Sequence, residues 1–223
     1  LYLNRLCAGN SVPDLKEIEK AFSVPKEFQN RYSSYVNKHV EKATFELITK
    51  PSTRVLSRGP NGKPKWLTAD VEAYALINSK LHEPFKRLCV ATGNNDLYEY
   101  MQSLAKGQDR MERKRLRYIT TIPDKGNKCR LVAISDYWTQ VLLEPIMTDI
   151  QQYTVKRFNN VSYSNDHSKG FDNLKKFIRP GIKSYDVTSW TDAFPSSLQH
   201  HFMTARYGSL IADAWYSLVV SCD

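Results

Sequence analysis

From Thr68 onward, apolar side chains fall at helical intervals: Tyr74, Ile77, Leu81, Phe85 and Leu88 recur at steps of three, four, four and three. This spacing predicts one long helix, kinked where Pro84 removes a backbone donor and stopped at Gly93. A second, shorter helix is expected over residues 97–106, ending at Gly107. The period then changes. Residues 118–122 and 128–134 are β-rich runs flanking Pro123-Asp-Lys-Gly-Asn127, the pattern of a hairpin. On the second strand, alternation puts Lys128, Arg130 and Val132 on one face and Cys129, Leu131 and Ala133 on the other.

Ser135 or Asp136 can cap the helix that follows, where Leu142, Ile146, Ile150 and Tyr153 form an apolar stripe interrupted by Pro145. That stripe reads as core packing. Residues 51–66, rich in Pro and Gly, read as an irregular loop after a helix-like N-terminal segment. Residues 159–181 read as a polar connection ending in Arg179-Pro-Gly181. A short strand is expected at 182–187, then a loop over 188–192. Pro195 opens the next helix at its first turn, Leu198, Phe202 and Ala205 line it, and Gly208 ends it.

With 223 residues, 41% of them hydrophobic and 25% charged, the chain has enough apolar surface for a folded core. No window approaches the length of a membrane span; the best, 210–220, is short and carries Asp213. The N-terminus lacks a signal-peptide layout, and the missing initiator Met leads us to expect a chain that begins inside a longer frame. Cys7, Cys89, Cys129 and Cys222 form no Cys-x-x-Cys pair, and His200 and His201 point about 100° apart on a helix, so zinc chemistry is not expected.

Charge changes the picture more. The net charge is +9, and residues 106–130 hold nine basic side chains against Asp109, Glu112 and Asp124. This one stretch therefore carries +6. Such a concentration suits a polyanion partner, although a merely solvated basic face fits the composition as well. Two acids add candidate chemistry. Asp186 closes the expected strand and Asp192 stands six residues on, at the mouth of a helix. Carboxylates so placed suit a hard divalent cation such as Mg²⁺. A helix cap and a strand-end charge fit the same spacing.

The run Tyr185-Asp-Val-Thr-Ser-Trp-Thr-Asp-Ala-Phe-Pro195, followed by Leu198-Gln199, resembles the first palm motif of viral RNA-dependent RNA polymerases, with the mitovirus and narnavirus group the nearest match. Upstream, Gly126-Asn-Lys-Cys-Arg-Leu-Val-Ala-Ile-Ser-Asp-Tyr-Trp-Thr-Gln-Val-Leu-Leu-Glu-Pro145 resembles the basic fingers motif of that group. Ala214-Trp215 sits where the group often has a similar pair. The resemblance covers residues 117–220, and the Asp-Tyr-Trp-Thr-Gln run favours mitoviruses. Ala193 and Trp190 depart from the group, which usually has Arg and a small residue there.

What the resemblance implies is an α+β fragment of a right-hand polymerase. Mostly helical fingers would span 1–181, with the basic hairpin motif at 117–140, and the first strand and helix of the palm would follow at 182–223. Asp186 would be catalytic and hold the metal, Mg²⁺ or Mn²⁺. Asp192 would shape the ribose site, where a 2′-OH can donate to a carboxylate. Lys125, Lys128 and Arg130 would grip the incoming ribonucleoside triphosphate. Arg113, Lys114, Arg115 and Arg117 would lie along RNA template and product, contacting phosphates without reading sequence. The second palm motif and the Gly-Asp-Asp turn of such enzymes are absent, so this stretch alone is expected to be inactive. Mitovirus resemblance implies the host mitochondrion; the narnavirus alternative implies the cytoplasm. A non-catalytic basic RNA-binding module, such as a decayed integrated copy of a polymerase, is the alternative function. A reverse transcriptase is a third, disfavoured by Asp192 at a position those enzymes usually give to an aromatic.

Overall fold

Two helices, not one kinked helix, come out of the apolar run after Thr68. In a computed structural model, which describes residues 24–43, 59–61, 65–106, 115–124, 128–158, 167–183 and 194–220, a first helix α1 (Lys26–His39) precedes them. A 3₁₀ turn (Lys65–Thr68) leads into α2 (Ala69–Ile77), and the chain breaks before α3 (His82–Ala91). The break is made by side chains that compete for helical hydrogen bonds. Asn78 Nδ2 donates to the Tyr74 carbonyl at 2.9 Å, and Ser79 Oγ donates to the Leu76 carbonyl at 2.9 Å while accepting from the Leu81 N–H at 3.1 Å. Pro84 therefore falls at the third residue of α3, inside a first turn whose N–H groups have no helical partner, and costs nothing there. Gly93, at φ +72°, ends α3 as the sequence indicates.

The next helix, α4 (Asn95–Ala105), matches its expected position. Strands β1 (Arg117–Asp124) and β2 (Lys128–Ser135) form the antiparallel hairpin, and the 22-residue α5 (Tyr137–Phe158) runs through Pro145 without ending. Within 159–181, read above as a polar connection, the chain forms α6 (His167–Lys175). Phe171 and Leu174, three apart, were its signal, obscured by Gly170 and by charge. Pro195 precedes α7 (Ser196–Tyr207) rather than occupying its first turn, and its carbonyl accepts the Leu198 N–H at 3.1 Å. Gly208, at φ +86°, turns the chain into α8 (Ser209–Val220). The expected strand at 182–187 lies largely outside the described residues, and Ile182 and Lys183 carry no regular structure. Among the described residues, no helix is long and apolar enough to cross a membrane.

The result is an α+β arrangement dominated by helices. α2 packs on α4 and α5, α3 on α4 and α8, and α7 on α8 and α1. Leu76, Leu81, Phe85, Leu88, Met101, Trp138, Val141 and Leu218 meet in one fully enclosed core. The stripe of α5 joins it through Leu142 and Ile146.

A buried ion pair binds α5 to α7. Arg206 holds Asp149 through two bonds of 2.7 Å, and Tyr207 Oη donates to the same carboxylate at 2.5 Å. The remaining guanidinium nitrogen donates to the Glu41 carbonyl at 2.7 Å, and the guanidinium carbon lies 4.2 Å from the Tyr153 ring centroid. Burial alone would raise the Asp149 pKa, but the donors and charge of Arg206 and Tyr207 outweigh it and hold the carboxyl below its ordinary value. Its contribution to stability is therefore complete above the ordinary carboxylate range and lost as pH falls through the depressed folded value. Replacing Arg206 strands a buried carboxylate. Arg206→Met is expected to lose about 3–5 kcal/mol in urea unfolding at neutral pH, with a smaller deficit at acid pH, where Asp149 protonates in both proteins.

Candidate polyanion-binding hairpin

A two-stranded hairpin has little stability of its own in water, so the way its root is held decides whether it can present charge in a fixed position. The register runs from Arg117 opposite Ser135 at the root to Asp124 opposite Lys128 at the tip. Both strands are fastened where they leave the helical body.

On the β1 side, Asn61 clasps the chain just before the strand. Its Oδ1 accepts the Arg115 N–H at 3.1 Å, and its Nδ2 donates to the Arg115 carbonyl at 3.2 Å. The Arg117 guanidinium then donates to the carbonyls of Leu218 and Val219, at the end of α8. Those carbonyls stand in the last described turn of α8, where the negative end of the helix dipole lies, so a cation there is favourably placed.

On the β2 side, Asp136 caps α5: its Oδ1 accepts the Thr139 N–H at 2.8 Å. Gln140 Nε2 reaches back to the Ser135 carbonyl at 2.8 Å, and Trp138 Nε1 donates to the Ala69 carbonyl at 2.7 Å. The Asp-Tyr-Trp-Thr-Gln run is thus a fastening. Every residue in it except Gln140 is buried.

The two sides meet at Glu72 of α2, which is fully buried. Its Oε1 accepts from Asn61 Nδ2 at 2.8 Å and Thr68 Oγ1 at 2.7 Å, and its Oε2 accepts the Tyr137 N–H at 2.8 Å. Burial raises the Glu72 pKa, the three donors oppose it, and the nearby Asp136 charge adds to the rise. Asp136 is raised too, chiefly by burial, against donation from Thr139 and the charge of Arg117. Both acids hold their protons more tightly folded than unfolded. Their contribution is therefore largest below the ordinary carboxylate range and declines as pH rises through the raised folded values.

The backbones of Lys128 and Arg130 lie in β2, opposite Asp124 and Ile122 at positions of one strand parity, as alternation predicts. Their side chains lie outside the described residues, as do Lys125, Arg113, Lys114, Asp186 and Asp192. Arg115 is exposed, its guanidinium 5.5 Å from the Tyr118 ring centroid. Arg117 is partly buried and bonded to α8. Of the basic cluster, the structure therefore brings Arg115 and Arg117 to the root and the Lys128 and Arg130 backbones toward the tip.

Sequence reasoning missed Glu72 and Asn61. Glu72 had a signal: it is the one acid buried among Val71, Ala73 and Leu76, in a helix apolar around most of its circumference. Asn61 had none, because its partners are 11 and 54 residues away.

A family model described as Mitovirus RNA-dependent RNA polymerase matches residues 45–223. No curated protein and no solved structure matches the chain.

Loosening either strand should register in stability. Asp136→Ala is expected to cost about 1–2 kcal/mol through the lost cap, and Asn61→Ala about 1 kcal/mol through its bonds to Arg115 and Glu72. Urea unfolding followed by far-ultraviolet circular dichroism reads both, with the folded-state helix signal preserved.

Proposed function

The chain belongs to the mitovirus RNA-dependent RNA polymerase family, and on that premise we propose that it is the fingers and the start of the palm of an enzyme that copies an RNA genome on an RNA template. The observation that supports this beyond family membership is the basic hairpin fastened on both strands at its root. Fingers would occupy 1–181 and the palm would begin at 182. In the complete enzyme, the 3′-hydroxyl of the growing RNA attacks the α-phosphorus of a ribonucleoside triphosphate, and the bond to the bridging oxygen breaks to release pyrophosphate.

Each residue's part follows from its chemistry. Lys128 and Arg130, with Lys125 at the turn, hold the triphosphate and the departing pyrophosphate, because charge-assisted donors on a stiff strand lose little on binding. Arg130 carries more of this than Lys128, since its planar fork can engage two oxygens together. Asp192 accepts the ribose 2′-OH. Arg113, Lys114 and Arg115 run along RNA phosphates, and Arg117 joins them to the extent that its α8 bonds leave donors over. Asp186 and Asp192 offer hard carboxylate oxygens, a donor set that fits Mg²⁺ or Mn²⁺, and Asp186 would hold the ion. When bound, the metal neutralises charge on the reacting phosphate oxygens. The described residues hold no cluster of three metal-ligating side chains, so this assignment rests on the acids at 186 and 192. The host mitochondrion as the place of replication belongs to the same proposal.

In the full-length polymerase, Asp186→Asn is expected to abolish primer extension on an RNA template while RNA affinity stays within about twofold. Survival of extension would remove Asp186 from the metal site. Loss of RNA binding together with extension would make it structural. A full-length wild-type protein that binds RNA but incorporates no nucleotide would favour the non-catalytic RNA-binding module.

A further inference from the structure

Between the hairpin root and the helical body lies a cavity of 820 Å³. Its size falls within the range of about 300–1,000 Å³ usual for sites that enclose small organic molecules. Ala75 of α2, Leu143 of α5, Ile134 of β2 and Val219 of α8 give it apolar walls, and the Tyr118 and Ala133 positions bring both strands to its edge. Polar groups are few, and they point one way in charge. Arg115 and Arg117 line the cavity, and no acidic side chain does so among the described residues.

We infer that this cavity is a binding site for a small organic anion: an apolar, ring-sized body lies against Ala75, Ile134 and Leu143, and its charged group meets Arg115. Arg115 takes the charge because the Arg117 guanidinium is already bonded to the carbonyls ending α8. A nucleic-acid strand does not suit these walls, since burying phosphodiester charge against alanine, leucine and isoleucine is costly. The occupant touches both strands at the root and the helices beneath. It binds the assembled hairpin and body but not the separated elements, and so stabilises their union. This inference does not depend on the polymerase reading.

The test uses 8-anilinonaphthalene-1-sulfonate as an apolar anion and N-phenyl-1-naphthylamine as its uncharged counterpart, each titrated by fluorescence against the folded protein. Wild type should bind the anion saturably at one site. Ala133→Trp enters the cavity from an exposed position and should weaken both probes by at least ~10-fold. Ile119→Trp, also exposed and lining the cavity, serves as the second filling variant if the first lowers the unfolding midpoint. Arg115→Gln should weaken the sulfonate several-fold and leave the neutral amine unchanged. Absence of saturable binding, or unchanged binding in both tryptophan variants, would overturn the site. Equal weakening of both probes by Arg115→Gln would overturn the role of charge.

Discussion

The hairpin's placement depends on one buried carboxylate. Glu72 collects a side-chain donor from Asn61, another from Thr68 and the backbone N–H of Tyr137, 65 residues further along the chain. A carboxylate buried without such donors would cost several kcal/mol, and partial satisfaction recovers only part of that. The arrangement therefore tolerates little displacement of any partner. Since Asn61 also clasps Arg115 and Tyr137 directly follows the Asp136 cap, both strands of the hairpin are referred to the same point on α2.

Under the proposed function, this is how a short two-stranded ribbon would serve electrostatic chemistry. Cations that must meet a polyphosphate gain most when their positions are set before binding, because less side-chain and loop freedom is lost on association. The basic stretch divides its labour accordingly. Arg117 neutralises the end of α8 and helps secure the root, whereas β2 carries Lys128 and Arg130 away from the body toward the tip. Part of the local charge excess is thus structural. The buried Asp149–Arg206 pair plays a parallel part deeper in the fold, fixing α5 to α7 and to the 41–43 segment that passes beside them.

Much of this could be read along the chain, and the losses have physical causes. Local signals carried well: β-rich runs around a turn marked both strands, Gly93 and Gly208 marked helix ends, and of the two cap candidates, Ser135 and Asp136, the structure uses Asp136. Competition between local signals was misjudged. Asn78 and Ser79 ended a helix that apolar spacing alone continues, which moved Pro84 from a kink to a harmless first turn. Polarity hid α6, whose two internal apolar residues are both exposed. Long-range pairings were beyond reach. Nothing near Asn61 announces Arg115, and nothing near Arg117 announces the last turn of α8. The motif around residues 135–140 was recognised for its resemblance, but its physical work, fastening a strand end to a buried acid, emerges only from the fold.

The most direct measurement is amide hydrogen exchange on the wild-type protein and on Glu72→Ala, resolved between the β1–β2 peptides and those from α3, α4 and α8. If Glu72 refers the hairpin to the body, the variant's hairpin amides exchange well before those of the three helices, which keep most of their protection. Hairpin amides as protected as in wild type, or loss spread evenly over strands and helices, would contradict the account.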